Sequence, residues 1–174
     1  MKRKLVFILA LFAPVWWLVG AEPLLEYQVK AVCVLNAARF VSWPASAFES
    51  ADAPLVIGIL GDNPFGSMLQ DVVKGETVQR RPISVRRVGL EEAGAMHILF
   101  ISRSERDRLE RILQTLGEKS VLTVSDTDRF TQGGGMLGLT LAGGKMRFEV
   151  NSDAARRAQL KFAAQFLLMA RSTK

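Results

Sequence analysis

Along the chain the spacing of apolar positions changes from segment to segment, and those changes mark out elements. Over residues 23–41, Leu24, Leu25, Val29, Val32, Cys33, Asn36 and Phe40 recur at helical intervals, and Trp43-Pro44 closes the segment. Residues 45–54 are small, acidic and polar, as a connecting loop would be. Leu55-Val56-Ile57-Gly58-Ile59-Leu60 is almost continuously apolar over strand length, the pattern of a strand covered on both faces. Gly61-Asp62-Asn63-Pro64 turns the chain into a short predicted helix over 65–74 that stops at Gly75. Residues 83–88 alternate, predicting a strand with one open face, and 91–95 supply a helical turn. Residues 96–101 read as another buried strand.

The next segment, 102–116, predicts a surface helix. Ser102 with Glu105, and Ser104 with Asp107, each have capping-box spacing, and Leu109, Ile112, Leu113 and Leu116 form the apolar stripe. Residues 121–124 predict a strand. The glycines Gly133, Gly134 and Gly135 break the chain ahead of a predicted hairpin over 136–150. Asn151-Ser152 then caps a last predicted helix over 153–170. This succession implies an α/β fold: a three-layer arrangement with a mostly parallel twisted sheet, an antiparallel hairpin edge, and helices on both faces.

The start of the chain has another pattern. Lys2-Arg3-Lys4 precedes an uncharged run from Leu5 to Val19, followed by Gly20-Ala21 and then Glu22-Pro23. A basic start, an apolar stretch shorter than a membrane span and small residues at a cleavage position make 1–21 an expected signal peptide. The remaining 22–174 is expected to form one α/β domain in the periplasm. Half of the formal charge of +6 leaves with the leader, so composition no longer argues for a polyanion partner, and no nucleic-acid role is expected. A lone cysteine, Cys33, excludes an intrachain disulfide framework and suits a buried, inert thiol.

Candidate chemistry is sparse. His97 is the sole histidine and opens an apolar strand without a sequence neighbour to serve as a catalytic partner, so a structural role is expected. One His and one Cys far apart offer no metal-ligand spacing, and neither a metal nor a cofactor is expected. The glycines near Gly61 lack a dinucleotide fingerprint or a P-loop lysine. In open parallel sheets ligands sit outside the carboxyl ends of the strands. Here those ends carry Asp62, Asn63, Ser102, Arg103, Ser125 and Asp126, which form the expected small-molecule rim if one exists. The competing expectation for the Ser and Asp residues is helix capping. The clusters Arg80-Arg81, Arg86-Arg87 and Arg156-Arg157 with Lys161 read as solvated faces.

Several segments, in order and spacing, resemble the YfiR-like family of exported bacterial regulators. They include Glu26-Tyr27-Gln28-Val29-Lys30-Ala31, then Asn36-Ala37-Ala38-Arg39-Phe40 with Trp43-Pro44, and Gly58-Ile59-Leu60-Gly61-Asp62-Asn63-Pro64. His97-Ile98-Leu99-Phe100-Ile101-Ser102, Leu122-Thr123-Val124-Ser125-Asp126 and Arg147-Phe148-Glu149-Val150-Asn151 complete the set. The resemblance implies a non-enzymatic periplasmic repressor that binds the sensor region of an inner-membrane diguanylate cyclase, lowering cyclic-di-GMP signalling and with it biofilm formation. It also implies relief through an outer-membrane peptidoglycan-binding lipoprotein. A homodimer is expected from the symmetry of dimeric receptors. Relatives with several cysteines imply redox control, which the single Cys33 does not support. The alternative is a periplasmic small-molecule sensor using the strand-end rim.

Overall fold

The computed structural model describes residues 21–173; the leader expected over 1–21 lies outside them, save Ala21. The chain opens with α1 (Ala21–Phe40), runs through the two-residue β1 (Val41–Ser42), and enters β2 (Leu55–Leu60) after a loop. α2 (Met68–Val73), β3 (Thr77–Val78), β4 (Arg81–Val88), α3 (Leu90–Ala93) and β5 (Ile98–Ile101) follow. A 3-10 segment (Arg103–Arg108) leads into α4 (Leu109–Leu116), then β6 (Leu122–Ser125), β7 (Leu137–Ala142) and β8 (Lys145–Asn151). The chain closes with α5 (Ser152–Arg157), β9 (Lys161–Phe162), α6 (Ala164–Met169) and β10 (Arg171–Thr173).

The main sheet has the order β3-β4-β2-β5-β6-β7-β8-β10, and β1 pairs separately with β9. The central run from β4 to β7 is parallel; β3 pairs antiparallel to β4, and β8 antiparallel to β7. Mostly parallel strands with helices on both sides match the expected fold class. Register explains the two-sided core. Ile57 aligns with Ile98 and Ile59 with Phe100, while Ile98 and Phe100 align in turn with Leu122 and Val124. Side chains alternate across a strand, so these six share one face and pack under α1, α2 and the C-terminal elements. Leu60, Leu99, Ile101 and Val121 point the other way, with Ala93 from α3 and Ile112 and Leu116 from α4. Burying each such side chain contributes about 1.5–3 kcal/mol.

The helix expected over 102–116 begins as the 3-10 segment Arg103–Arg108, and the hairpin expected at the sheet edge is covered there by β10. Two further segments differ from the sequence expectation. The predicted final helix is broken: Gln159 adopts a left-handed φ of 60°, and Leu160 N–H returns to the Ala155 carbonyl. That turn frees Lys161–Phe162 to pair with Val41–Ser42. Helix α1 buries only part of the predicted stripe: Cys33 is in the core and Phe40 packs against it. Leu25, Val29 and Val32 face outward, whereas Lys30, Ala31, Cys33, Val34, Ala37 and Ala38 are buried. Polar residues, among them Glu26, Gln28, Lys30, Asn36 and Arg39, are mixed with apolar ones around the helix, so periodicity alone could not choose a face; the alanines permit the closer approach to the sheet.

Candidate functional site at the strand carboxyl ends

The chain leaves β2 outward to β4 and then crosses back to β5. Strand order therefore reverses between β2 and β5, the place where open α/β sheets part to admit ligands. In this molecule loop contacts stitch the opening. Ser102 N–H donates to the Leu60 carbonyl at 3.0 Å, and Asp62 N–H donates to Ser104 Oγ at 2.9 Å. Gly61 permits the approach: its φ is +89°, and a Cβ there would lie 2.5 Å from Ser104 Oγ and 2.8 Å from Glu105 Cγ.

The six rim residues divide by what holds them. Asn63 closes a local turn, its Oδ1 accepting from Phe65 N–H at 3.0 Å and its Nδ2 donating to the Gly66 carbonyl. Ser102 Oγ accepts from Ser104 N–H, starting the 3-10 segment. Ser125 Oγ is buried, donating to the Ile101 carbonyl at 2.7 Å and accepting from Thr127 N–H at 3.1 Å. Arg103 and Asp126 meet: Arg103 Nε lies 3.1 Å from the Asp126 carbonyl and 3.3 Å from its Oδ2. Asp62 stands apart, exposed, its carboxylate in a different cleft. Helix capping, the competing expectation, holds for Ser102 but for neither aspartate.

Asp126 is the centre of a buried network that sequence reasoning missed. Lys30 Nζ lies 2.5 Å from Asp126 Oδ2, with the two side chains 0% and 1% exposed. Tyr27 donates its hydroxyl to the same oxygen at 2.9 Å, and Glu26 pairs with Lys30 one turn earlier on α1. Burial first, and then the hydrogen bond to Asp126, push the Tyr27 phenol well above its ordinary range, so it stays protonated. Three donors crowd Oδ2, while Oδ1 is buried with no hydrogen-bond partner among the described residues. The available signal was Lys30 itself, a cation flanked by Val29 and Ala31 in a largely apolar helix; a buried lysine requires a buried acid.

His97 lies at the other end of the sheet and holds backbone. Its Nδ1 accepts from Val56 N–H at 3.0 Å, which assigns the proton to Nε2, donating to the Ala47 carbonyl at 3.0 Å. Phe48 stacks on the ring at 4.3 Å, and Arg81 caps Phe48 from 3.7 Å while donating to the Ser50 and Ala53 carbonyls. Burial lowers the imidazole below its ordinary value, opposed by the bond to Ala47 and aided by Arg81. Burial likewise pushes the Cys33 thiol up to about 11, so it stays protonated at neutral pH. Among the described residues no three His, Cys, Asp or Glu side chains gather as a metal site, and no helix is long and apolar enough to cross a membrane.

Comparison with known proteins supplies a family. A family model described as YfiR/HmsC-like matches residues 27–171. Comparison with the curated proteins gives no match. Among solved structures, a conserved domain protein from Vibrio cholerae O1 biovar El Tor superposes with a TM-score of 0.59 at 10% identity. The superposition covers 85% of this chain and 60% of that one, and at such identity it speaks for the fold alone.

Proposed function

The chain belongs to the YfiR/HmsC-like family, and from that membership we propose that it is a non-enzymatic periplasmic repressor acting through protein contact. It binds the sensor region of an inner-membrane diguanylate cyclase and lowers cyclic-di-GMP output. Repression then requires tighter binding to the inactive cyclase than to the active one, because equal affinity for both states shifts nothing. Release by an outer-membrane peptidoglycan-binding lipoprotein belongs to the same reading.

The observation that carries it is an uncovered apolar stripe. Leu25, Val29 and Val32 on α1 are 61%, 45% and 45% exposed, and Leu168 and Met169 on α6 are 88% and 61% exposed. The α6 pair is a second patch, since α6 meets α1 at Phe40, eight residues beyond Val32, where Phe40 packs on Phe166 and Ala163 N–H donates to the Phe40 carbonyl. Large exposed apolar side chains on neighbouring helices are the kind of surface a partner covers. In support, both ring nitrogens of His97 are engaged by backbone, and the strand-end opening is stitched by loop contacts.

Capture from membranes tests the reading. The full chain, processed by its own exporting cell, is expected to retain a diguanylate cyclase, whereas Val29→Asp and Leu168→Asp weaken capture without lowering the melting temperature. Capture that survives both substitutions would displace the stripe, and absence of any cyclase would remove the repressor reading.

A second reading keeps the small-molecule sensor expected at the rim, narrowed to Arg103 and Asp126 because Asp62 lies in a different cleft, and draws on the unpartnered Asp126 Oδ1. A small molecule co-purifying with the parent, and absent from Arg103→Ala, would favour it.

A further inference from the structure

Between α3 and α4, over the carboxyl ends of β2 and β4, lies a cleft of about 720 Å³, within the range of about 300–1,000 Å³ common to ligand sites. It exists because α3 is a single turn, Leu90–Ala93, too short to cover those strand ends. Leu60, Val88 and Ile112 supply an apolar floor.

Three guanidinium groups reach the cleft from three elements: Arg87 from β4, Arg108 from the 3-10 segment and Arg111 from α4. Two are held by built contacts. Arg108 donates through both Nε and Nη2 to Glu105, whose side chain is only 10% exposed. Arg87 Nη2 donates to the Gly61 carbonyl at 3.2 Å, at the glycine held in a left-handed conformation. Arg111 is different: its guanidinium has no hydrogen bond or ion pair among the described residues. The carboxylates of Asp62 and Glu91 line the same cleft and are equally unpaired among them. Some exposed arginines close onto acids, as in Arg39–Glu76, Arg86–Glu92 and Arg156–Asp153, while Arg80, Arg129, Arg147 and Arg157 stay open like Arg111 among the described residues. Here charges of both signs stay open around one apolar floor.

We propose that this cleft binds a short zwitterionic peptide. Its free carboxylate is received by Arg87 and Arg111, whose planar forks match a carboxylate. Its ammonium is received by Asp62 and Glu91, and an apolar side chain rests on the floor. A purely anionic ligand would meet two uncompensated carboxylates, and a purely cationic one would meet the guanidinium groups, so the cleft selects against both. This inference is separate from the repressor reading. It uses neither the exposed stripe nor the Asp126 network, and shares only Asp62 with the strand-end rim.

The test is isothermal titration calorimetry of the full chain, as processed by the exporting cell, with alanyl-leucyl-alanine, its N-acetyl form and its C-terminal amide. The free peptide is expected to bind, and each blocked form to bind about ten-fold more weakly or worse, as loss of a charge-assisted hydrogen bond requires. Arg111→Gln, which leaves Arg87, should narrow the difference between acid and amide, and Glu91→Gln, which leaves Asp62, should narrow that between the free and the acetylated amine. Arg106→Gln, outside the cleft, should bind as the parent does. No heat from the free peptide at millimolar concentration, equal binding of all three forms, or an equal loss in Arg106→Gln would overturn the proposal.

Discussion

Lys30 is a full charge in a place water does not reach, so its contribution is best judged by what its removal would leave behind. Lys30→Met leaves Asp126 buried, with only Tyr27 and the half-exposed Arg103 against it. Breaking a buried pair from one side costs about 3–5 kcal/mol, whereas an apolar replacement of both members is often near neutral. Urea unfolding should therefore show a large loss in Lys30→Met and recovery of most of it in the double variant Lys30→Met, Asp126→Leu. A single-variant loss below about 1 kcal/mol would mean the pair is solvated like a surface pair. His97 gives a pH dependence of definite sign. Burial lowers its folded value, so the unfolded chain takes up a proton more readily. The stability it contributes is full above about pH 6.5 and is lost as pH falls through the lower folded value. Protonation also costs the Nδ1 acceptor its Val56 N–H. The melting temperature should fall between about pH 7 and pH 5, and His97→Asn should be less stable at pH 7 but flatter across that range. An unchanged slope in the variant would assign the pH dependence to other groups.

Elements were legible where burial on both sides, or strict alternation, left a pattern with one meaning. The continuous apolar runs of β2 and β5 and the alternating β4 were all read correctly as strands, with small differences at their ends. Helix α1 was legible as a helix but not in its orientation, because polar and apolar residues mixed around it carry little directional information. The final helix was overestimated, since the break at Gln159 uses a left-handed residue that is not glycine and leaves no mark in composition. Topology placed Asp126 at a strand end, yet its partners Tyr27 and Lys30 lie about a hundred positions away on another element. At this scale the turn after β2 is the sensitive joint. Gly61→Ala places a Cβ against Ser104 Oγ and Glu105 at a left-handed φ, which should cost more than about 1 kcal/mol and loosen the Asp62–Ser104 bond. Thermal unfolding checks the cost. A variant as stable as the parent would show that the turn relaxes freely.

The whole molecule is two apolar clusters that share one sheet, and neither can be lost without exposing the back of the other. Phe100 is fully buried in the larger cluster, between Phe65 and the neighbouring strands, so Phe100→Ala should cost about 3–5 kcal/mol. Fluorescence and far-UV circular dichroism should still report a single coincident transition, whereas two separated transitions would mean that the clusters unfold independently. The same architecture fixes an order of events. Helix α1 is the first described element in the chain, yet the acid that neutralises Lys30 follows 96 residues later, on the far side of β5 and α4. Closing so long a loop is entropically costly and is rewarded only after the intervening strands have paired. During vectorial synthesis or translocation, α1 therefore waits with its lysine in water until residue 126 has emerged. Burial of Lys30 against Asp126 cannot precede the arrival of residue 126, and β9 and α6, later still in the chain, then close on β1 and the end of α1.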